Sequence, residues 1–155
     1  MQLPFWSSDL FESTEGIALA TSDIRLSYTD LNQMVNDYAN FLIDLDLKNQ
    51  LAFLPMEMNI SSVVRYLACL RTSIVPLLLP LGIEESLMQN LEEVYKPSLM
   101  FGSNGLKDIH VSSNVSSAGG LPKNLAVLLN TSGSTGSAKL VKLSHDNLRQ
   151  NAKGI

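Results

Sequence analysis

The stretch LLNTSGSTGSAKLVKLSHDN, residues 128–147, decides how the rest of the chain is read. An apolar run stops at Asn130. Thr131 to Lys139 then holds five hydroxyl side chains, two glycines, one alanine and a closing lysine. Gly133 and Gly136 permit positive φ and a close approach of the backbone. A loop of this make-up can turn several backbone N–H groups inward as an anion nest. Thr131, Ser132, Ser134, Thr135 and Ser137 add hydroxyl donors, and Lys139 adds a compact charge with three more. Together these groups suit a polyphosphate, which presents many acceptor oxygens and several negative charges. A flexible Ser/Gly linker is the competing reading. The shortness of the stretch, its place between two apolar strands and its single terminal lysine favour phosphate. It is not the loop of the common ATPases, where lysine directly follows glycine and a helix comes next. Here Ser137 and Ala138 separate Gly136 from Lys139, and LVKL (140–143) reads as a strand.

Outward from this stretch, strands and helices alternate. GIALAT and IRLSY are two short strands joined by a turn at Ser22-Asp23. Leu31, Met34, Val35, Tyr38, Phe41, Leu42 and Leu45 step by three and four, which predicts an amphipathic helix with Thr29 as its N-cap. LAFLP (51–55) is a short buried strand. Asn59 to Arg71 is a second helix, with Ile60, Val63, Val64, Leu67 and Leu70 on one face. The prolines of IVPLLLP make it extended rather than helical. Glu84 to Tyr95 is a third helix carrying Leu87, Met88, Leu91 and Val94, and SLMFG is the strand after it. Residues 103–124 form a polar surface loop region that contains the short strand DIHV. LAVLLN is the strand that enters the glycine-rich stretch, and Ser144 caps a helix that begins at His145. The order predicts an α/β fold with a largely parallel sheet flanked by helices.

The composition narrows the function. With 155 residues the chain has the size of one domain, and 45% of them are hydrophobic. Only 17% are charged, so some of the surface is expected to be covered. A net charge of −4 gives no footprint for nucleic acid. One cysteine, Cys69, allows no internal disulfide, which fits a reducing, cytoplasmic setting; in VVRYLACLR it reads as a small buried hydrophobe. The first residues lack the basic start and apolar run of a secretory signal. No stretch approaches the roughly 18 apolar residues of a membrane span.

The run through Thr131, Ser132, Gly133, Ser134, Thr135, Gly136 and Lys139, then Ser144, His145 and Asn147, resembles the phosphate-binding signature of the adenylate-forming (AMP-binding) superfamily. That superfamily holds acyl- and aryl-CoA synthetases, adenylation domains of nonribosomal peptide synthetases, and luciferases. LSYTDLNQMVNDYANFL, VVRYLACLRTSIVPLLLP and ESLMQNLEEVYKPSLMF resemble its upstream segments in order and spacing, so the likeness covers nearly the whole chain. Four positions depart from the usual pattern. Ala138 stands for proline, Leu140 and Ser73 for glycine, and Asn130 for an aromatic or apolar residue.

The resemblance implies the first part of the large N-terminal domain of such an enzyme, with its C-terminal domain absent from these 155 residues. It implies ATP and Mg²⁺, a small-molecule carboxylic acid, and coenzyme A or a carrier-protein phosphopantetheine as acyl acceptor. Thr131, Ser132, Ser134 and Thr135 would donate to phosphate oxygens, Gly133 and Gly136 would shape the loop, and Lys139 would neutralise charge. His145, at a helix start, is expected to be structural, and His110 has no visible partner. No catalytic residue is expected within the chain, which alone would be inactive and would expose apolar surface open to self-association. The alternatives are a non-catalytic nucleotide- or protein-binding module, and an adenylation-like scaffold that has lost ATP.

Overall fold

Proline and glycine punctuation, with apolar runs between, sets the element order. The structure, a computed structural model, describes residues 4–112, 120–131 and 139–153. It contains α1 (Ser8–Glu12), β1 (Ile17–Ala20), β2 (Arg25–Ser27), α2 (Tyr28–Ile43), β3 (Leu51–Met56), α3 (Ile60–Thr72), β4 (Val75–Pro80) and α4 (Glu85–Tyr95). These are followed by β5 (Leu99–Phe101), β6 (Ile109–Val111), β7 (Leu125–Thr131), β8 (Lys139–Ser144) and α5 (His145–Lys153). β1 and β2 make a small antiparallel ribbon. The other six strands form one sheet in the order β6-β5-β3-β4-β7-β8. Its four central strands are parallel, and β6 and β8 close the edges antiparallel. The α/β fold with helices on both sides of a largely parallel sheet is thus as expected.

The two faces of the sheet are covered unequally. On one, Val35, Tyr38 and Leu42 of α2, Val64, Leu67 and Ala68 of α3, and Leu148 of α5 pack with Ala52, Leu54, Ala126 and Val127. On the other, α4 is the covering helix among the described residues: Leu91, with Leu87 and Met88, packs on Phe53, Val75, Leu77 and Leu79. Cys69 is fully buried under α2, and burial pushes its thiol pKa far up, so it is an inert packing group. The charged-poor composition has a counterpart in exposed Met58 and Leu81, just past the ends of β3 and β4.

Local details correct the sequence reading in three places. The N-cap of α2 is Ser27, not Thr29. The strand β2 runs up to Ser27, and Asp30 then completes a capping box with it (Asp30 N–H to Ser27 Oγ, 3.0 Å). Val94 points to solvent at 62% exposure, because α4 presents the Leu87–Met88–Leu91–Tyr95 stripe to the sheet. The short helix α1 has no counterpart in the reading: five residues carry too little periodicity to see. Within residues 103–124, β6 is where DIHV placed it, and Leu106 packs on the core.

Ser73 illustrates a departure with a physical cost. It ends α3 in the left-handed region (φ 59°, ψ 27°), its N–H bonding to Cys69 O. That conformation favours glycine, the residue the resemblance leads one to expect there. Ser73→Gly is expected to stabilise the fold by about 0.5–1 kcal/mol, read as a higher urea midpoint at unchanged m-value.

Candidate functional site

The candidate site is built at the carboxyl edge of the central strands. β7 lies parallel to β4 (Leu77 beside Leu128, Leu78 beside Leu129), so its last residue, Thr131, ends at that edge. In open α/β sheets ligands bind outside the carboxyl ends of the strands. β8 returns antiparallel with Thr131 directly opposite Lys139, and the pairing continues through Asn130–Leu140 and Leu129–Val141. The two ends of the Gly/Ser/Thr stretch are therefore tied together by a ladder. Ser132, Gly133, Ser134, Thr135, Gly136, Ser137 and Ala138 lie outside the described residues, as does the side chain of Thr131. Lys139, the first residue of β8, is exposed at this edge.

The second half of the sequence motif does structural work at the other end of the hairpin. Ser144 N–H donates to Asn147 Oδ1 (2.9 Å), and Asn147 N–H donates back to Ser144 Oγ (3.1 Å). This reciprocal cap turns β8 into α5. His145 N–H donates to Asn124 O (3.1 Å), and its ring packs against Trp6 at 5.4 Å. Because Ser144 pairs with Leu125 and Lys139 with Thr131, the two ends of the hairpin are six β7 residues apart, roughly 20 Å. His145 thus lies roughly 20 Å along the hairpin from Thr131 and Lys139, and packs against Trp6.

Burial lowers the His145 pKa from 6.5, with Arg149 adding to the shift and Asp146 opposing it. The unfolded chain then binds the proton more readily than the folded one. The stability this contributes is present above the ordinary histidine pKa and is lost as pH falls through it. Urea midpoints are expected to drop as pH falls from about 7 to about 5, and His145→Gln to flatten that step. His110, in β6 opposite Met100, is exposed.

A cleft of about 620 Å³ lies elsewhere. Gln50, Ser98, Leu125, Ser144 and Asn147 line it at the amino end of the strands, with Leu128 and Leu140 on the α4 face. It is open apolar surface of the incompletely covered face, and is not the candidate site.

One group that the sequence reading passed over shapes the carboxyl edge. Arg65 is 4% exposed and grips the turn after β5: Nη1 donates to Gly102 O (2.7 Å), and Nη2 to Gly105 O (2.5 Å) and Asp108 O (3.1 Å). Its guanidinium also lies 5.2 Å from the Phe101 ring centre. Asn130, noted in the sequence as a departure and directly preceding Thr131, has an enclosed Oδ1 with no hydrogen-bond partner among the described residues. Among the described residues no group of three or more His, Cys, Asp or Glu could hold a metal, and no helix is long and apolar enough to cross a membrane.

A largely parallel α/β sheet flanked by helices defines the class of fold. The sequence model of the AMP-binding enzymes matches residues 12–155, and the chain belongs to that family. No curated protein matches the chain in sequence. Solved structures share its fold. The N-terminal subdomain of NpsA from Klebsiella oxytoca, bound to 3-hydroxyanthranilyl-AMSN, is 20% identical at a TM-score of 0.67, covering 89% of this chain and 40% of that one. MatB from Rhodopseudomonas palustris is 23% identical at 0.73, covering 94% and 36%. O-succinylbenzoate coenzyme A synthetase (MenE) from Bacillus subtilis, bound to AMP, is 20% identical at 0.67, covering 92% and 42%. The chain thus spans about two fifths of the length of these structures.

Proposed function

We propose that residues 1–155 are the N-terminal portion of the adenylation domain of an ATP-dependent carboxylate ligase. The supporting observation is the Thr131–Lys139 pairing, which closes a hydroxyl- and glycine-rich loop at the carboxyl edge of β7. In this reading Thr131, Ser132, Ser134 and Thr135 donate to the β- and γ-phosphates of ATP. Gly133 and Gly136 let the backbone approach, and Lys139 offsets the charge that grows on the leaving pyrophosphate. An oxygen of the acid's carboxylate attacks the α-phosphorus. The bond from that phosphorus to the bridging oxygen breaks, and pyrophosphate leaves with the electron pair. A thiolate then takes the acyl group and releases AMP. Two anions must meet for the first step, so positioning and electrostatic stabilisation supply most of what the protein contributes. Mg²⁺ bound with the nucleotide would supply further charge neutralisation.

The acceptor is coenzyme A or a carrier phosphopantetheine, the setting is cytoplasmic, and the 155 residues alone are inactive. Support for the last point is the length of the similar structures, which extend well beyond the matched part.

The test uses the protein with whatever sequence follows Ile155 in its reading frame. It is incubated with Mg-ATP, a panel of fatty, aryl and amino acids, and hydroxylamine. Hydroxamate formation with one class of acid supports adenylation, and replacing hydroxylamine by coenzyme A or a carrier protein identifies the acceptor. Folded protein that forms hydroxamate with no acid would point instead to a non-catalytic binding module.

A further inference from the structure

The cleft at the amino end of the strands has a make-up unlike that of the chain as a whole. The chain carries a net charge of −4. Among the described residues that line the cleft, two are lysines, Lys96 and Lys142, and none is Asp or Glu. Lys142 lies in β8 opposite Leu128 and two residues after Leu140, so it shares the α4 face with both. Lys96 ends α4 in the left-handed region (φ 46°, ψ 63°), where glycine is the usual residue. Both lysines are exposed, and neither side chain makes an ion pair or hydrogen bond among the described residues. Leu121, Leu125, Leu128 and Leu140 supply an apolar floor.

A leucine-floored hollow of about 620 Å³ with a few polar groups has the size and lining of a small-molecule site. Gln50 adds a donor: its Oε1 accepts from Ser98 Oγ (3.1 Å), and its Nε2 donates to nothing among the described residues. Every charged group the cleft offers is a cation, so the head that complements it is an anion. The leucines suit a hydrocarbon body. We infer that this cleft binds a small amphiphilic anion, with its carboxylate or phosphate head at Lys96 and Lys142 and its hydrocarbon on the leucine floor. An ammonium is a compact charge on a flexible stem, which serves either head group. No residue of the Thr131–Lys139 stretch takes part, so the inference stands apart from the ligase reading.

The test is leucine-methyl NMR of the protein with the sequence that follows Ile155, titrated with octanoate, octyl phosphate and 1-octanol below micelle formation. Both anions are expected to shift the methyls of Leu125 and Leu140 saturably, and octanol to bind about tenfold more weakly. Lys142→Gln is expected to weaken the anions about threefold, and Lys96→Gln with Lys142→Gln about tenfold, with octanol unchanged. Both positions are exposed, so the methyl spectrum away from the cleft should stay as in the wild type. The order of octanoate and octyl phosphate then tells which head group the lysines prefer. Octanol binding as tightly as the anions overturns the inference, since the cleft would then be apolar surface only. So does anion binding that survives the double variant. Shifts confined to other leucines, or a cleft that none of the probes reaches because later sequence covers it, overturn it as well.

Discussion

Lys139→Ala is expected to lower carboxylate-dependent pyrophosphate exchange by about 10²–10³-fold, the usual cost of removing one preorganised electrostatic donor from a transition state. The residue opens β8 opposite Thr131, so its position is set by the ladder and not by the loop alone. Its side chain is exposed, and an exposed substitution typically changes stability by within about 0.5 kcal/mol. Activity and folding therefore separate: the variant should keep the wild-type urea midpoint while losing exchange. Lys139→Arg keeps the charge but presents a planar fork in place of a compact ammonium, and should recover only part of the rate. The split between kcat and KM for ATP carries further information. A loss mainly in kcat means the lysine acts on charge that develops as pyrophosphate leaves, whereas a loss only in KM means it binds the ground state. Exchange within threefold of wild type would deny Lys139 the role given to it.

Arg65→Met should destabilise the fold by about 3–5 kcal/mol, the largest structural effect expected here. The guanidinium is almost fully buried and donates to the carbonyls of Gly102, Gly105 and Asp108, which span the turn between β5 and β6. Methionine would fill much of the space yet remove the guanidinium's bonds to all three carbonyls, leaving Gly105 O and Asp108 O only their backbone donors. Arg65→Lys should rescue little, because one ammonium cannot reach carbonyls that the planar fork bridges together. Urea unfolding measures the loss. Hydrogen exchange should show it concentrated in residues 102–111, where β6 depends on the turn for its place beside β5. A destabilisation below about 1 kcal/mol would mean that the turn is held by its own backbone bonds, Gly102 N–H to Asp108 O and Asp108 N–H to Gly105 O.

The contrast between these two residues shows what the sequence carries. The place of Lys139 was legible because it is local: a lysine closing a run of glycines and hydroxyls where an apolar strand resumes. The central strands and α2 to α4 were legible for the same kind of reason, since period and proline placement are written along the chain. Arg65 was not. It sits among apolar residues of α3, and its partners are backbone carbonyls about 40 residues away, which carry no side-chain signature. The antiparallel edges β6 and β8 follow from pairing across loops, which periodicity does not encode. Asn130 was visible as a departure from the family pattern. Only the pairing with Leu140 shows which face it points to, and only burial shows that its oxygen is unmatched among the described residues. Ser73 is the reverse case: the departure was visible, and its left-handed φ gives it a cost.

The measurement that tests the central claim most directly is exchange of labelled pyrophosphate into ATP by the protein with the sequence that follows Ile155, across fatty, aryl and amino acids. The account predicts exchange that requires one class of acid, is lost in Lys139→Ala, and is absent from residues 1–155 alone. Exchange that ignores the acid, or survives loss of Lys139, or no exchange from folded protein with any acid, would contradict it.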